Sequence, residues 1–449
     1  MKRNRVANVL GWSAGIALLS SNAFGSGFAL LEQSSSGLGR AYAGTAAVAD
    51  DATTLFYNPA GMSLLKSPEV ALSVSGINVS SHFHNGASQA ALGQQLGGEG
   101  GNAGSFTPVP SLYLAWPLSA SFSAGIGVNA PFGLKTEYDS DWMGRFQAIK
   151  SDVKTYNVNP AFSWRLNQHV TLGAGVDYQH IRAELSSTVN YTAVLAQVNP
   201  ALVPAGLGLQ GPTRVKGTDS AWGFNAGVLF EINEANRIGL SYRSSVKYSI
   251  DGDVAFSPPS SANPVVAGVL GAVSGAGGPL SNGQVGLQLK VPDSATASYV
   301  HQFGDKASLM LDASWTGWSS VQELRILRPN GATLSLTPEN WKDTWRFAIG
   351  GDYKLSPSWT LRAGIARDQA PVPDSTRTPR LPDEDRTWVA VGASWTSANN
   401  VKVDVGYAHL FVKDASLNET AGNPFAYGLL NGSQQTKIDI ISAQASLKF

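Results

Sequence analysis

Four places in this 449-residue chain carry residue types at spacings that could do chemistry. Gly11-Trp12-Ser13-Ala14-Gly15 has the spacing of a hydrolase nucleophile elbow, where a serine sits on a tight strand-to-helix turn. It falls, however, among a basic stub (Lys2, Arg3, Arg5), a short apolar run from Val9 to Leu19, and small residues at Ala23-Phe24-Gly25. Those parts make residues 1–25 a secretory signal peptide, cleaved before Ser26, and the serine leaves with it. Ser34 to Gly39 is rich in Ser and Gly but lacks the Gly-Lys-Ser/Thr ending of a phosphate loop. His82 and His84 could ligate a metal, yet they fall in an expected outer loop with no carboxylate partner in sight. Asp383-Glu384-Asp385 reads as a solvated cluster or a bridge to Arg386, and nothing supports Ca²⁺ there. With no Ser/His/Asp or paired-carboxylate constellation, the chain reads as a non-enzyme, with no cofactor and no metal.

Composition points to the elements that must carry the function instead. Charged residues are 14%, against roughly 25% in ordinary globular chains, while 48 Gly exceed the usual share of about 7%. No window of 18 apolar residues follows the leader, so no transmembrane helix is expected. Formal net charge is zero, which argues against a nucleic-acid partner, and the absence of Cys excludes disulfides and thiolate chemistry.

From Glu69 onward, apolar and polar residues alternate in repeated short runs, the period-two signature of strands with two unlike faces. Ile441, Ala443, Ala445, Leu447 and Phe449 oppose Ser442, Gln444, Ser446 and Lys448. Trp222, Phe224, Ala226, Val228 and Phe230 alternate with Gly223, Asn225 and Gly227. The second face is too small and too rich in Gly and Ser to make a solvated exterior. Strand centres fall near residues 75, 112, 125, 158, 174, 226, 241, 298, 312, 347, 362, 391, 405 and 443. Short turns near 117–120, 166–169, 232–236, 304–307, 355–358 and 396–400 alternate with long links. The long links occupy about 83–105, 137–150, 185–215, 250–285, 328–340, 367–386 and 412–434. Sorting short turns to one end and long loops to the other is the pattern of a transmembrane antiparallel β-barrel, here of about fourteen strands. The fold class is therefore all-β, with the barrel over 67–449. Residues 26–66 do not alternate and are expected to fold into the lumen as a hatch. Pro160 cannot donate to a ladder, so a bulge is expected in the fourth strand.

Ser26-Gly27-Phe28, Ser34 to Tyr42 and Asn58-Pro59-Ala60 resemble the hatch of the FadL family of outer-membrane transporters. The similarity runs on through Pro131 to Leu134, Asn236 to Ser244, Trp315 to Ser319, Pro371-Val372-Pro373, Pro382 to Arg386, Asp404 to Tyr407 and Phe449. It implies an outer-membrane location in a Gram-negative bacterium and passive uptake of long-chain fatty acids or other hydrophobic small molecules. In that picture cargo lodges in an apolar groove between the third and fourth outer loops. It then passes to an internal pocket and leaves sideways into outer-membrane lipid where the third strand is kinked. The terminal Phe449 implies handling by the barrel-assembly machinery.

The resemblance also assigns roles. Arg182 and Lys342 match the cations that hold a carboxylate in the inner pocket, and Phe28 the aromatic that contacts ligand. Asn58, Pro59 and Ala60 belong to the hatch. Gly127, Asn129, Pro131, Phe132 and Gly133 fall at the lateral opening, where Gly and Pro together break a ladder. Lys342 shares parity with Thr344, Arg346 and Gly350, which predicts a lumenal side chain. Alternation from Val170 puts Arg182 on the lipid side, so either a bulge near His180-Ile181 turns it inward or it is a snorkelling surface residue. Leu195, Val198, Leu202, Val265, Val266, Val269 and Leu270 make two outer loops unusually apolar, as a binding surface or as packed helical segments. Neutral hydrocarbons are the rival cargo; an outer-membrane hydrolase and a permanently shut structural barrel are rivals of other classes.

Overall fold

The computed structural model describes residues 26–419 and 423–449; the expected signal peptide lies outside them. Fourteen antiparallel strands form the wall. β1 is Glu69–Asn85, β2 is Phe106–Pro117, and β3 runs as Phe122–Asn129 and then Gly133–Glu137. β4 is Lys150–Arg165, β5 is Val170–Asn190 and β6 is Gln210–Asn233. β7 joins Asn236–Arg243 to Val246–Phe256, and β8 joins Gly283–Val291 to Ser294–Phe303. β9 joins Ala307–Thr316 to Glu323–Leu327, and β10 joins Thr333–Pro338 to Thr344–Lys354. β11 is Trp359–Asp368, β12 is Arg386–Thr396, β13 joins Val401–Val412 to Ala415–Glu419, and β14 is Leu430–Lys448. The sheet closes where β1 pairs with β14 from Glu69↔Lys448 to Asn85↔Gly432, so no long edge is left for aggregation.

The wall is a soluble protein turned inside out. On β14, Ile441 is 64% exposed while its neighbour Ser442 is 2% exposed. Gln444 and Ser446 are buried with Ser442, whereas Phe162, Val176, Phe224, Ile349, Val391 and Val405 face outward. Exposed aromatics collect at both ends of this apolar band. Trp116 packs on Phe449 (centroids 5.6 Å) and Phe122 on Trp164 (5.9 Å) beside the short turns. Tyr178 packs on Trp222 (4.8 Å) towards the long loops. Such girdles mark the two membrane interfaces. Among the described residues no helix is long and apolar enough to cross a membrane; the strands do it.

Residues 26–66 fill the lumen. Ser35 donates its backbone N–H to Gln444 and contacts Ser442; Thr45 bonds Asp312, and the Ala46 N–H reaches Ser298. Arg40 pairs with Asp50 and with Asp352 on the wall, both at 3.1 Å, and Lys402 reaches Asp51 at 3.2 Å. Asn58 caps the short helix Pro59–Leu64 through Ala60 N–H and spends its Nδ2 on the carbonyls of Ala46 (2.6 Å) and Val228 (3.2 Å). Asn58, Pro59 and Ala60 are thus buried and tied to the wall. A Cβ at Gly239 would sit 1.9 Å from the Ala46 carbonyl oxygen, which explains why the inner face is so rich in glycine.

Three expectations change. β4 has no bulge at Pro160: its register with β5 is the same at Val158↔Tyr178 and Ala161↔Gly175. Opposite Pro160, the Val176 carbonyl accepts instead from Asn159 Nδ2 at 3.0 Å, so a side chain supplies the donor that proline lacks. β5 and β6 extend beyond the expected loop boundary, to Asn190 and from Gln210, and pair throughout. β1 likewise reaches Asn85, so His82 and His84 stand on a strand with exposed side chains, not in a loop.

β3 is where the wall fails. Its first segment pairs with β2 only from Leu112↔Val128 to Pro117↔Ser123, although β2 continues back to Phe106 against β1. The second segment, Gly133–Glu137, pairs with β4 alone. Asn129↔Asn157 and Gly133↔Lys154 bracket the break, so residues 130–132 oppose only 155–156, one residue in excess. That surplus bends the chain inward: Asn129 to Leu134 are buried without alternation. Residues 106–111 of β2 are left facing a gap, with Pro108 and Pro110 as a proline-tolerant edge.

Candidate functional site

The inward bend of β3 meets the N-terminal tip of the lumenal segment. Leu30 N–H donates to Pro131 O (2.9 Å) and Gly133 N–H to Phe28 O (2.8 Å), a two-bond fragment of antiparallel sheet inside the barrel. Gln33 Nε2 reaches Ala130 O at 2.8 Å. From the other side Thr155 clamps Phe132, accepting from its N–H at 2.9 Å and donating to its carbonyl at 2.8 Å. Glycine and proline make the bend; these bonds recover the polar groups that leaving the ladder would orphan.

Phe28 is 7% exposed and sits in an aromatic box. Its ring centroid lies 4.9 Å from Trp318, 5.6 Å from Phe132 and 5.8 Å from Trp341, and the two indoles are 5.2 Å apart. All three partners occupy interruptions of wall strands: Phe132 in β3, Trp318 in β9 and Trp341 in β10. Where a strand breaks, alternation stops dictating direction and a large side chain can turn inward. Gly27 has φ +62°, and a Cβ there would lie 2.6 Å from Trp318, so only glycine lets the tip approach the box.

The link 369–385 dips into the mouth and latches this tip. Gly27 N–H donates to Asp383 Oδ2 at 2.8 Å and Ser26 Oγ to Gln369 O at 2.7 Å. Asp383 also pairs with buried Arg386, which faces Asp368 at 3.7 Å. Burial pushes the Asp383 carboxyl up to about 6, against the pull of Arg386 and the Gly27 N–H. Glu339, which accepts from Trp341 Nε1 at 2.8 Å, is likewise pushed up to about 7 by burial. Arg380 is lowered to about 10 by its own burial while donating to the carbonyls of Gln147 and Lys150.

The expected residues divide sharply. Phe28, Asn129, Pro131, Phe132 and Gly133 come together, with Gly127 one dyad below the bend. Arg182 does not join them: β5 keeps unbroken register through His180-Ile181, so Ile181 is buried and Arg182 exposed on the outer face. Lys342 does not either. The lower segment of β10 begins at Thr344, residues 339–343 are irregular, and Lys342 is exposed. Parity projected past the end of a strand has no physical force. A pair of free lumenal cations from these two residues is therefore absent. The acidic cluster, in contrast, makes the bridge to Arg386. Trp318, Trp341 and the tip latch at Asp383 escaped the sequence reading; the signal for Trp318 was Gly317, which ends the alternation after Trp315.

Most of the apolar loop residues are consumed by packing. Leu195 on the helix Tyr191–Val198 and Val266 and Leu270 on the helix Pro264–Ser274 are buried together with Tyr191 and Val273. Val198, Leu207 and Val265 remain exposed beside them. A cavity of about 640 Å³ lies higher, between β7, β8 and β9. Its lining mixes Asp251, Asp253, Gln284, Gln288 and Arg328 with Ile250, Val285, Leu287 and Leu327, and it shares no residue with the aromatic box.

A family model described as "Outer membrane protein transport protein (OMPP1/FadL/TodX)" matches residues 16–449. The chain is 32% identical over 425 residues to the "Long-chain fatty acid transport protein" of Escherichia coli O6:H1, covering 91% of this chain and 92% of that one. It is 35% identical over 421 residues to "Outer membrane protein P1" of Haemophilus influenzae, covering 87% of each. The crystal structure of a Pseudomonas aeruginosa FadL homologue superposes with a TM-score of 0.84 at 28% identity, over 94% of this chain and 99% of that one. The P. putida toluene transporter TodX shares the fold, with a TM-score of 0.66 at 16% identity, over 94% of this chain and 99% of that one.

Proposed function

Because this chain belongs to the OMPP1/FadL/TodX family of outer membrane transport proteins, we propose that it carries long-chain fatty acids across the outer membrane and releases them sideways through the β3 gap. The observation that carries the reading is the pair of backbone bonds joining Phe28 and Leu30 to the inward bend of β3. An acyl chain entering the aromatic box competes with Phe28 for the same surface. Displacing the tip would free residues 130–133 and open a route beside the unpaired edge of β2. An acyl chain gains about 0.8 kcal/mol per buried CH₂, so passage from one apolar surface to the next suits it better than a wet pore. Residues 26–66 act as the hatch, with the ion pairs around Arg40 and Asp51 fixing its base while the tip moves. Val198, Leu207 and Val265 offer the first contact outside, and exposed Phe449 is the handle for barrel assembly.

Neutral hydrocarbon is the second reading, and one observation favours it: Arg182 stands on the outer face, Lys342 is exposed rather than buried with the aromatic box, and Arg386 near the box is already paired. Sequence similarity favours the acid, since the relatives above 30% identity include one named for long-chain fatty acid transport. Competition between oleate and toluene on the purified protein decides. Oleate binding, together with gene-dependent growth on limiting oleate, is expected; toluene binding without oleate binding would replace the proposal with its rival.

A further inference from the structure

The outward turn of Arg182 gives that residue a different task. On the outer face of β4 and β5, register places Lys154 directly opposite Arg182. Like charges facing each other across an antiparallel pair are destabilising unless an anion sits between them. The neighbouring carboxylates are already engaged: Asp152 holds Lys154 at 3.2 Å, and Glu184 is held by Lys216 at 3.1 Å and Lys150 at 3.6 Å. Arg182 is exposed and has no ion pair with any described residue. On its other side stands Thr218, and the next outward acid, Asp251, lies one strand further across the sheet. That is roughly 10 Å away at the usual strand spacing, beyond a direct ion pair.

Depth identifies the missing anion. Two strand levels towards the membrane, the same rows carry Val158, Tyr178 and Trp222, all exposed on the apolar band and its aromatic girdle. The Lys154–Arg182 level lies about 13 Å further along strands that tilt by roughly 40°, hence about 10 Å higher. Lys and Arg side chains lean their charges back towards the interface. Both residues lie on the long-loop side, which in an outer-membrane barrel faces outward. The layer at that height holds the phosphates of the outer leaflet's glycolipid, and an arginine fork fits a phosphate in two hydrogen bonds.

We propose that Lys154 and Arg182 form a wall-mounted site for a phosphate of a lipid A-type glycolipid, whose acyl chains pack on the apolar band beneath. The site lies next to β3, since Lys154 also faces Gly133 across the sheet. It requires an outer-membrane location but neither the cargo nor the lateral-exit reading, so it stands or falls separately from them.

Native mass spectrometry of the folded protein in detergent, with lipid A carrying both phosphates or with the same lipid dephosphorylated, tests it. The phosphorylated form should be retained at least about tenfold better, given two charge-assisted contacts. Lys154→Gln/Arg182→Gln should abolish that preference while keeping the heat-modifiable mobility of a folded barrel. Lys154→Arg/Arg182→Lys should preserve it, as should Lys437→Gln, an exposed lysine on β14 four strands from β4 around the wall. Equal retention of both lipids by the unaltered protein, or an unchanged preference in the double Gln variant, would overturn the proposal. So would displacement of the lipid by inorganic phosphate, which would mark a free-ion site.

Discussion

Phe28→Ala isolates the energy that keeps the N-terminal tip docked. The ring is buried among three aromatic neighbours, and Phe→Ala in such a setting costs 3–5 kcal/mol. The lower end, about 3 kcal/mol, suits a tip that can relax at a chain terminus. The backbone bonds to Pro131 and Gly133 and the latch to Asp383 survive the substitution, so the tip still visits its dock. Every 1.4 kcal/mol is a factor of ten, which raises the undocked population roughly a hundredfold. Two amides report it directly: Leu30, which donates to Pro131 O, and Gly133, which donates to Phe28 O. Their hydrogen-exchange protection should fall about a hundredfold, while amides in the middle of β14, such as Ala443, keep theirs because they open only with the whole barrel. Oleate occupancy should fall as well, because one wall of the box is gone. Unchanged protection at Leu30 and Gly133 would show that the aromatic box does not hold the tip. Equal loss in β14 would show that Phe28 supports the barrel as a whole. Either outcome refutes the coupling between the aromatic box and the tip.

Three further outcomes follow from the same geometry. Deleting Pro131 removes the single surplus residue of β3, restores continuous register with β4 and lets β3 pair with residues 106–111 of β2; oleate uptake should be lost with the folded barrel retained, and undiminished uptake would exclude the gap as the exit. Arg40→Ala removes one of the two guanidinium groups that Asp50 and Asp352 share, leaving Arg362 at 3.7 and 3.5 Å, so the cost is about 1.5–3 kcal/mol, that of a charged hydrogen bond; exchange over 44–52 should quicken with little change in the wall strands, and equal quickening in both would place Arg40 in the barrel's own stability. Asp383 has a folded pKa of about 6, above its unfolded value near 3.8, so between those values the folded form binds more protons. Its contribution therefore favours folding at low pH and is lost as pH rises from about 4 to 6. Intrinsic-rate-corrected protection of 369–385 should decline across that window, and Asp383→Asn should flatten the decline; a slope of opposite sign would mean that the ion pair with Arg386 outweighs burial.

The amino-acid sequence alone determined the architecture. Ile441 against Ser442, or Phe224 against Asn225, states in two residues which side meets lipid, because side-chain direction in a continuous strand depends only on position parity. Fourteen such runs, with short turns and long links sorted to opposite ends, leave a closed membrane barrel and little else. The same rule placed Arg182 on the outside, and the structure agrees with that count; what the sequence could not say was whether a bulge would overturn it. At Lys342 the rule was carried across a break at 339–343, where no ladder exists to enforce it. The aromatic box lies beyond parity altogether, since Phe132, Trp318 and Trp341 each project from an interruption in a different wall strand. Their meeting depends on the curvature that brings β3 across the lumen from the paired strands β9 and β10. Tertiary structure decided that, and with it the one place where lumen, tip and gap touch. Local period governs which face a residue occupies, but only the closed sheet governs which faces oppose each other.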